Sequence, residues 1–396
     1  MDRVFQLLKL ERRRQQEMLN LIASENYPSR AVLRVLGSVF QNKYSEGYPG
    51  RRYYPGNEYY DEVERLAIER VKRLFGAEHA NVQPLSGALA NAAVYYAFLE
   101  PGDTIMGLDL KAGGHLTHGF GRNFSGRFYK SAFYYLDKDG FLDYDGIASR
   151  VDEVKPSLLI AGFSAYPRDI DWQRFRKIAD GIILLADIAH TAGLVAAGEQ
   201  NSPVGIADVV TFTTQKTLRG PRGAVILAKK QDAKRIDRAV FPGVQAGPHM
   251  HAVAAKAVCF AEALSDGFKD YARQIRKNAR ALADALIDKG FVLSTGGTDN
   301  HLMLIDLRPE GITGAEAEQR LYNVGVVANR NLIPWDERPP NITSGIRFGT
   351  PALTSRGMRE EEMTELAEII ASAIRGGDAQ ALRQKVRALA ERFPVV

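Results

Sequence analysis

Cysteine is almost absent from this chain: its 396 residues include one, Cys259, so no disulfide can form within it. A lone thiol inside the apolar run Ala252–Leu264 reads as a buried structural group, and the lack of crosslinks points to a reducing compartment. Long apolar runs are missing as well. No stretch reaches the eighteen or so residues of a membrane span, and the N-terminus sets Asp2 and Glu11 beside Arg12, Arg13 and Arg14 without the apolar segment of a signal peptide. The expectation is a cytoplasmic protein with no membrane partner. Neither sign of charge dominates: a net charge of +5 and a pI of about 9.1 suit anionic small molecules or weak polyanion binding and select neither. Internal repeats and low-complexity tracts are lacking too. With 45% hydrophobic and 25% charged residues, a chain of this length has enough apolar material for two domains with sizeable cores.

Residues 2–19 arrange Val4, Leu7, Leu8, Leu10 and Met18 around a basic face, the pattern of an amphipathic arm that packs on a partner subunit. After Leu21–Pro28 an apolar-periodic helix is expected through about Phe40. The segment Asn42–Asn57, crowded with Gly, Pro and Tyr, follows neither period and is expected as an ordered loop. A helix over Tyr59–Leu74 comes next, then another opened by Ser86 as N-cap and closed by Pro101-Gly102. Strand-like runs at Thr104–Leu108, Ser157–Gly162, Gly181–Ala186 and Asp208–Thr213 alternate with helical or loop segments. That alternation indicates an α/β fold, a mostly parallel sheet with helices on both faces. Gly223–Ala228 follows too closely for a helical crossover and reads as an antiparallel neighbour.

Beyond a helix at about 249–264 the composition shifts to the charged helix Phe268–Lys289. Short strands at Phe291–Ser294, His301–Leu307, Val324–Ala328 and Ile346–Phe348, with helices at about 314–323, 358–374 and 378–392, describe a smaller α+β C-terminal domain. The expected partition is an N-terminal segment 1–42, a large domain 43–265 and a small domain 266–396.

Chemistry concentrates at the ends of the strands, where open parallel sheets hold ligands. Lys216 follows the strand Asp208–Thr213 and precedes the turn Gly220-Pro221. Held near Arg219 and Arg222 and partly out of water, its amine would lose its proton readily and attack a carbonyl. Asp187 ends the preceding strand, with His190 a turn later. A carboxylate beside a reactive lysine suggests an aldehyde cofactor whose ring nitrogen must stay protonated, as in pyridoxal phosphate. Ser86-Gly87 opens a helix of small residues, where backbone N–H groups can receive a phosphate. His115 could stack on a ring, and Arg347 could clamp a carboxylate, although a surface salt bridge would explain it equally well. The loop holding Lys43, Tyr44, Tyr48, Arg51, Arg52, Tyr53 and Tyr54 interleaves basic and aromatic groups as single-strand nucleic-acid platforms do. Glu46 in its middle suits proton transfer better than a phosphate groove.

Taken together, the stretches Leu21–Asn26, Asn42–Asn57, Gly113–Gly119, Gly162–Tyr166, Asp187–Gly198, Thr213–Gly223, Phe241–Pro248, Gly296–His301 and Thr343–Pro351 resemble the serine hydroxymethyltransferases, pyridoxal-phosphate enzymes of the aspartate-aminotransferase fold type. The resemblance implies that Lys216 condenses with the cofactor aldehyde, Asp187 holds the pyridinium nitrogen, His115 stacks on the ring, and His190 and Ser164 contact the phenolic oxygen. It gives the phosphate to Ser86 and Gly87, beside Ala88 and Gln215, with the partner subunit's Gly247 completing the cup. Arg347 and Ser24 would hold the amino-acid carboxylate, and Glu46 would manage a proton at the hydroxymethyl group. Tyr44 and Tyr54 would reach the site of the other subunit, which implies a homodimer with shared sites, or a pair of such dimers. Leu110, Gly114, Leu116 and Asn331, with Glu46 and Tyr53, match positions that receive tetrahydrofolate; no metal ligands are expected. The implied reaction interconverts serine and glycine. Relatives that act as threonine aldolases or transaldolases without folate, or on α-methylserine, and a non-catalytic RNA-binding relative, stand as alternatives.

The chain departs from the family pattern near the cofactor. Leu85, Ala88 and Leu89 replace polar residues at the phosphate, Gln215 replaces the histidine before the reactive lysine, Ala246 replaces a glycine, and Lys111 stands where a small residue is common. These changes alter the polar surroundings of the ring and phosphate and leave the lysine itself in place.

Overall fold

The computed structural model describes residues 2–395. Seven strands form the central sheet, in spatial order His79–Asn81, Ala224–Ala228, Val209–Thr213, Ile183–Asp187, Leu158–Ala161, Thr104–Leu108 and Lys130–Tyr134. Ala224–Ala228 runs antiparallel to both its neighbours, and every other pairing is parallel. The link Thr214–Gly223 has no helix and is too short for the crossover of a dozen or more residues that a parallel return needs. The interior strands Leu158–Ala161, Val209–Thr213 and Ala224–Ala228 are buried at every position, as a sheet covered on both faces requires. Along the last of these, Val225 and Leu227 enter one core with Phe75, Phe212 and Phe260, while Ala224, Ile226 and Ala228 enter the other with Tyr95 and Val209.

Two strands escape the sequence pattern. His79–Asn81 is only three residues long, and Lys130–Tyr134 is an edge strand that begins with an exposed lysine and a half-buried serine. Neither carries the continuous apolar run that marks a buried parallel strand.

The C-terminal layer is an antiparallel sheet in the order Val292–Leu293, Leu302–Asp306, Gly345–Gly349, Asn329–Asn331. It is covered by Asp266–Asp288, Gly314–Val324, Glu360–Ile374 and Ala379–Arg392. The strand expected at Val324–Ala328 shrinks to Val326–Val327 and pairs in parallel with Leu19–Asn20, so Leu19 and Leu21 are buried in the same core as Leu282, Phe348 and Leu366. The N-terminal helix Arg3–Glu17 buries none of its residues, and Val4, Phe5, Leu7, Leu8 and Leu10 stay exposed. The helix expected through Phe40 stops at Leu36, capped by Gly37, and resumes as one turn of 3₁₀ helix at Val39–Gln41. Within Asn42–Asn57 lies a small hairpin, Gly47–Tyr48 against Arg51–Arg52, anchored by the buried Arg52 side chain on Asp61 at 2.8 Å and Glu64 at 2.6 Å.

The chain leaves Leu158–Ala161 through Gly162, whose φ of 128° is left-handed territory and whose Cβ, if present, would lie 1.9 Å from the Asp187 carbonyl oxygen. A glycine there lets the segment carrying Ser164 pass against the strand end carrying Asp187. Gly162→Ala should therefore cost about 3 kcal/mol or more, from overpacking and backbone strain together. A urea titration checks this, and an unchanged midpoint would contradict it.

Candidate active site

A cavity of about 420 Å³ opens at the carboxyl ends of the parallel strands, where the two layers meet. Its wall brings together Ser24, Ser86, Gly87, Ala88, His115, Ser164, Asp187, His190, Gln215, Lys216, Arg222 and Arg347, all expected from the sequence, and adds Glu25, His118, Phe163, Ala189 and Thr213. The other expected residues lie elsewhere. Tyr44 and Tyr54 pack ring to ring at 5.9 Å, and a Cβ on Gly247 would meet the Tyr44 ring at 3.0 Å and Glu46 Cγ at 3.7 Å. These four form one surface cluster, with Tyr53 beside it against Phe241, and none of them lines the Lys216 cavity. Leu110, Gly114, Leu116 and Asn331 also fall outside the cavity wall. A Cβ on Gly114 would lie 2.1 Å from the Leu108 carbonyl oxygen, so backbone packing alone requires that glycine.

Lys216 follows Val209–Thr213 on a turn closed by Thr214 N–H to Gly223 O (3.0 Å) and Gly220 N–H to Thr214 O (2.8 Å). Loss of water brings its amine down to about 8; Arg347 and Arg222 push the same way, and Asp187 opposes them. The cationic setting thus differs from the expected one. Arg219 turns away to stack on Tyr271 at 4.6 Å, and Arg347, 131 positions on from Lys216, takes its place.

Asp187 is the anion of the site. Burial alone would raise its pKa, but hydrogen bonds from His118 (3.2 Å) and Asn91 (2.9 Å) outweigh that and hold it far below the ordinary carboxylate range. Its second oxygen accepts from the Ala189 N–H at 3.0 Å.

Hydrogen-bond directions around it are forced. The Thr211 hydroxyl donates to Asn91 Oδ1, so Asn91 Nδ2 donates both to Asp187 and to Thr117 Oγ1. The Thr117 N–H and hydroxyl then face His115 Nδ1, at 3.3 and 2.8 Å, which leaves the proton of a neutral His115 on Nε2. Burial and the neighbouring His118 lower the His115 pKa to about 4, so that ring is neutral. The His115 N–H points to His118 Nδ1, placing the His118 proton on Nε2 toward Asp187. His115, His118 and Asp187 offer ligand atoms within 4.8 Å of one another, the spacing of a metal trio, but these hydrogen bonds already engage each of the three.

Sequence reasoning missed Asn91, Thr117, His118 and Thr211. His118 stood in view in the run Gly113–His118, and His115 drew attention first. Nothing local marks Asn91, which sits inside a helix of small residues. His301 was missed too. It comes from the C-terminal layer and stacks on His190 with ring centroids 5.5 Å apart and Nδ1 to Nε2 at 3.3 Å. Burial, aided by nearby Lys216 and Arg347, pushes the pKa of His190 well down, and burial with the same two cations brings His301 to about 3.

Arg347 is buried, and burial lowers its guanidinium to about 10, which leaves it charged at neutral pH. Its protein partners are neutral: the Ser164 carbonyl at 2.6 Å and Asn329 Oδ1 at 3.2 and 3.3 Å. The surface salt bridge that could have explained it is therefore not what the fold provides. Ser24 lies beside it because Gly349 N–H bonds Leu21 O at 2.8 Å, and Gly349 leaves no room for a Cβ against Ala23.

Two outcomes follow from this geometry. In the unfolded chain Lys216 titrates near 10.5, so between pH 8 and 10.5 the unfolded state holds a proton that the folded state lacks, and this group makes stability rise with pH. Ligand-free Lys216→Met should be more stable than wild type at pH 7, with the advantage shrinking as pH climbs from 8 toward 10; a constant difference in urea denaturation speaks against it. Asn91→Leu strands the Thr117 and Thr211 hydroxyls and removes a donor from Asp187, a loss of about 1–3 kcal/mol. In ¹⁵N spectra of the ligand-free protein, the same change should release His115 from its single Nε2–H form, and a spectrum identical to wild type would refute the network.

Against known families, the chain matches the family described as serine hydroxymethyltransferase over residues 1–370 of 396. The match runs through both layers and every wall of the cavity, and the seven-stranded, mostly parallel sheet is that of a fold-type-I enzyme. The chain therefore belongs to the serine hydroxymethyltransferase family, pyridoxal-phosphate-dependent enzymes of the one-carbon transferase and aldolase type.

Proposed function

We propose that the protein interconverts serine and glycine, exchanging the hydroxymethyl carbon with tetrahydrofolate at the Lys216 cavity. The observation that carries the reading is a buried Arg347 with only neutral partners, facing the same cavity as an ionised Asp187 and a partly deprotonated Lys216. A fixed cation awaiting a carboxylate, an amine poised to attack a carbonyl, and an anion able to hold a proton on a ring nitrogen together suit pyridoxal phosphate and an α-amino acid. The residues present fit that cofactor: Asp187 for the pyridinium, neutral His115 for the ring face, Ser86 and Gly87 for the phosphate.

Bound there, pyridoxal phosphate supplies an aldehyde for the amine and a protonated ring that draws electrons from the substrate Cα. The chain does the rest. Lys216, with its pKa near 8, would hold a neutral amine ready for the cofactor aldehyde at mildly alkaline pH. Arg347 and Ser24 fix the carboxylate and so choose which Cα substituent stands across the ring. Asp187 keeps the ring nitrogen charged. His190, uncharged and buried against His301, leaves the phenolic side of the ring free of another cation.

Tyr44, Glu46, Tyr54 and Gly247 cluster away from this cavity, which supports their service in a second subunit's site and hence a homodimer. Family members are commonly oligomeric. Arg52 is committed to Asp61 and Glu64 in buried ion pairs, which weakens the nucleic-acid reading of this loop. No helix among the described residues is long and apolar enough to cross a membrane. Gln215 spends its side chain on the Gly223 N–H at 3.4 Å, so the departure from histidine bears on the turn behind Lys216.

The visible spectrum of the cofactor-loaded protein with glycine, before and after tetrahydrofolate, tests the reading. Folate should raise the long-wavelength band strongly. If glycine or threonine produces that band and folate leaves it unchanged, the enzyme exchanges aldehydes by aldol chemistry instead.

A further inference from the structure

Lys256 is a charged side chain that the chemistry above does not use. It lies on the helix Met250–Ala263, is 1% exposed, and forms no ion pair among the described residues. Its Nζ donates to three backbone carbonyls: Val82 at 2.7 Å, Pro84 at 3.1 Å and Ala224 at 2.9 Å. An ammonium has three N–H donors and a neutral amine two, so three converging acceptors favour the charged form. Burial works against it, lowering the pKa to about 7, with the Glu64 carboxylate opposing from a distance. That carboxylate is itself taken by Arg52 and Gln83.

Two of the three carbonyls belong to one turn, and the third begins the strand Ala224–Ala228. Val82 and Pro84 lead from the strand His79–Asn81 to Ser86, whose carbonyl and hydroxyl accept from Ala90 N–H (2.9 Å) and Leu89 N–H (3.3 Å). The Gly87 and Ala88 amides, on the cavity wall, are not taken up by that cap. Pro84 O also accepts from Ala224 N–H at 3.0 Å, joining the turn to the strand behind it. On the other side, a Cβ on Gly223 would sit 2.5 Å from Lys256 Cε, and Gly223 O closes the Lys216 turn. One ammonium therefore lies beneath the segment delivering Ser86-Gly87 and the segment delivering Lys216. Hydroxyls or amides would satisfy carbonyls at less cost than an unpaired buried cation. What a cation adds is a field, and that field is favourable when an anion lies near.

We propose that Lys256 is a positioning residue for the phosphate end of the cofactor site, holding the Val82–Ser86 turn in place and setting a buried positive charge behind the bound anion. This rests on the reading that Ser86 and Gly87 receive the phosphate. The test compares pyridoxal phosphate with pyridoxal, which lacks the anion, by fluorescence titration of ligand-free wild type and Lys256→Met. Wild type should prefer the phosphorylated ligand strongly. Lys256→Met should lose roughly tenfold or more of the affinity for pyridoxal phosphate and about twofold or less for pyridoxal, compressing the ratio. An equal loss for both ligands would overturn the proposal and leave Lys256 a fold-holding residue only. A wild type that does not distinguish the two ligands would instead remove the phosphate reading on which it rests. If the methionine variant does not fold, Lys256→Gln, which keeps donors without the charge, is put through the same pair of titrations, and an unchanged ratio there likewise overturns the assigned charge.

Discussion

An ionised carboxylate enclosed by protein is among the more expensive groups a fold can hold, and the site is organised around keeping Asp187 in that state. Three donors secure it, from His118, Asn91 and the Ala189 backbone. The two side chains are themselves fixed by further partners: Asn91 by Thr211, and His118 by the His115 backbone. Because hydrogen bonds have direction, securing the carboxylate also determines where His115 carries its proton. The hydrogen bonds at one strand end and the tautomer of the ring opposite are one arrangement.

One cation of the site comes from a different layer. Arg347 rides on Gly345–Gly349 of the C-terminal sheet and meets the Ser164 carbonyl of the central one. His301 meets His190 in the same way. The cavity is thus the seam between two cores, and the amine of Lys216 is tuned by a guanidinium that its own sheet does not contain. Lowering a lysine by burial and a second cation while an anion restrains the shift leaves the amine in a useful middle range.

Most of the sheet was legible because buried parallel strands are short apolar runs with turn residues at their ends, as at Leu158–Ala161 and Val209–Thr213. The antiparallel strand was legible from the length of one connection. His79–Asn81 and Lys130–Tyr134 were not, since a three-residue strand and an edge strand lack that run. The main residues of the cavity wall were visible as motifs: Lys216, Asp187, His115, Ser86, Arg347. Their supports were not, because Asn91 and Thr211 are polar residues in ordinary positions whose meaning arises from a contact between residues 96 positions apart, Asn91 and Asp187. Arg219 misled for the same reason: nearness in sequence suggested a charge that the fold points elsewhere.

Asn26 carries one more consequence. Its side chain donates to the Lys216 carbonyl at 2.8 Å and to the Tyr271 hydroxyl at 2.7 Å, and accepts from Ser355 at 2.6 Å. The backbone of the reactive lysine is therefore clasped by residues drawn from the beginning, the middle and the last eighth of the chain. During synthesis, which runs from the N-terminus, the central sheet is complete long before that clasp can close. A chain synthesised only as far as its last central strand still lacks Tyr271 and Ser355, two of the groups that hold Asn26 against the lysine backbone.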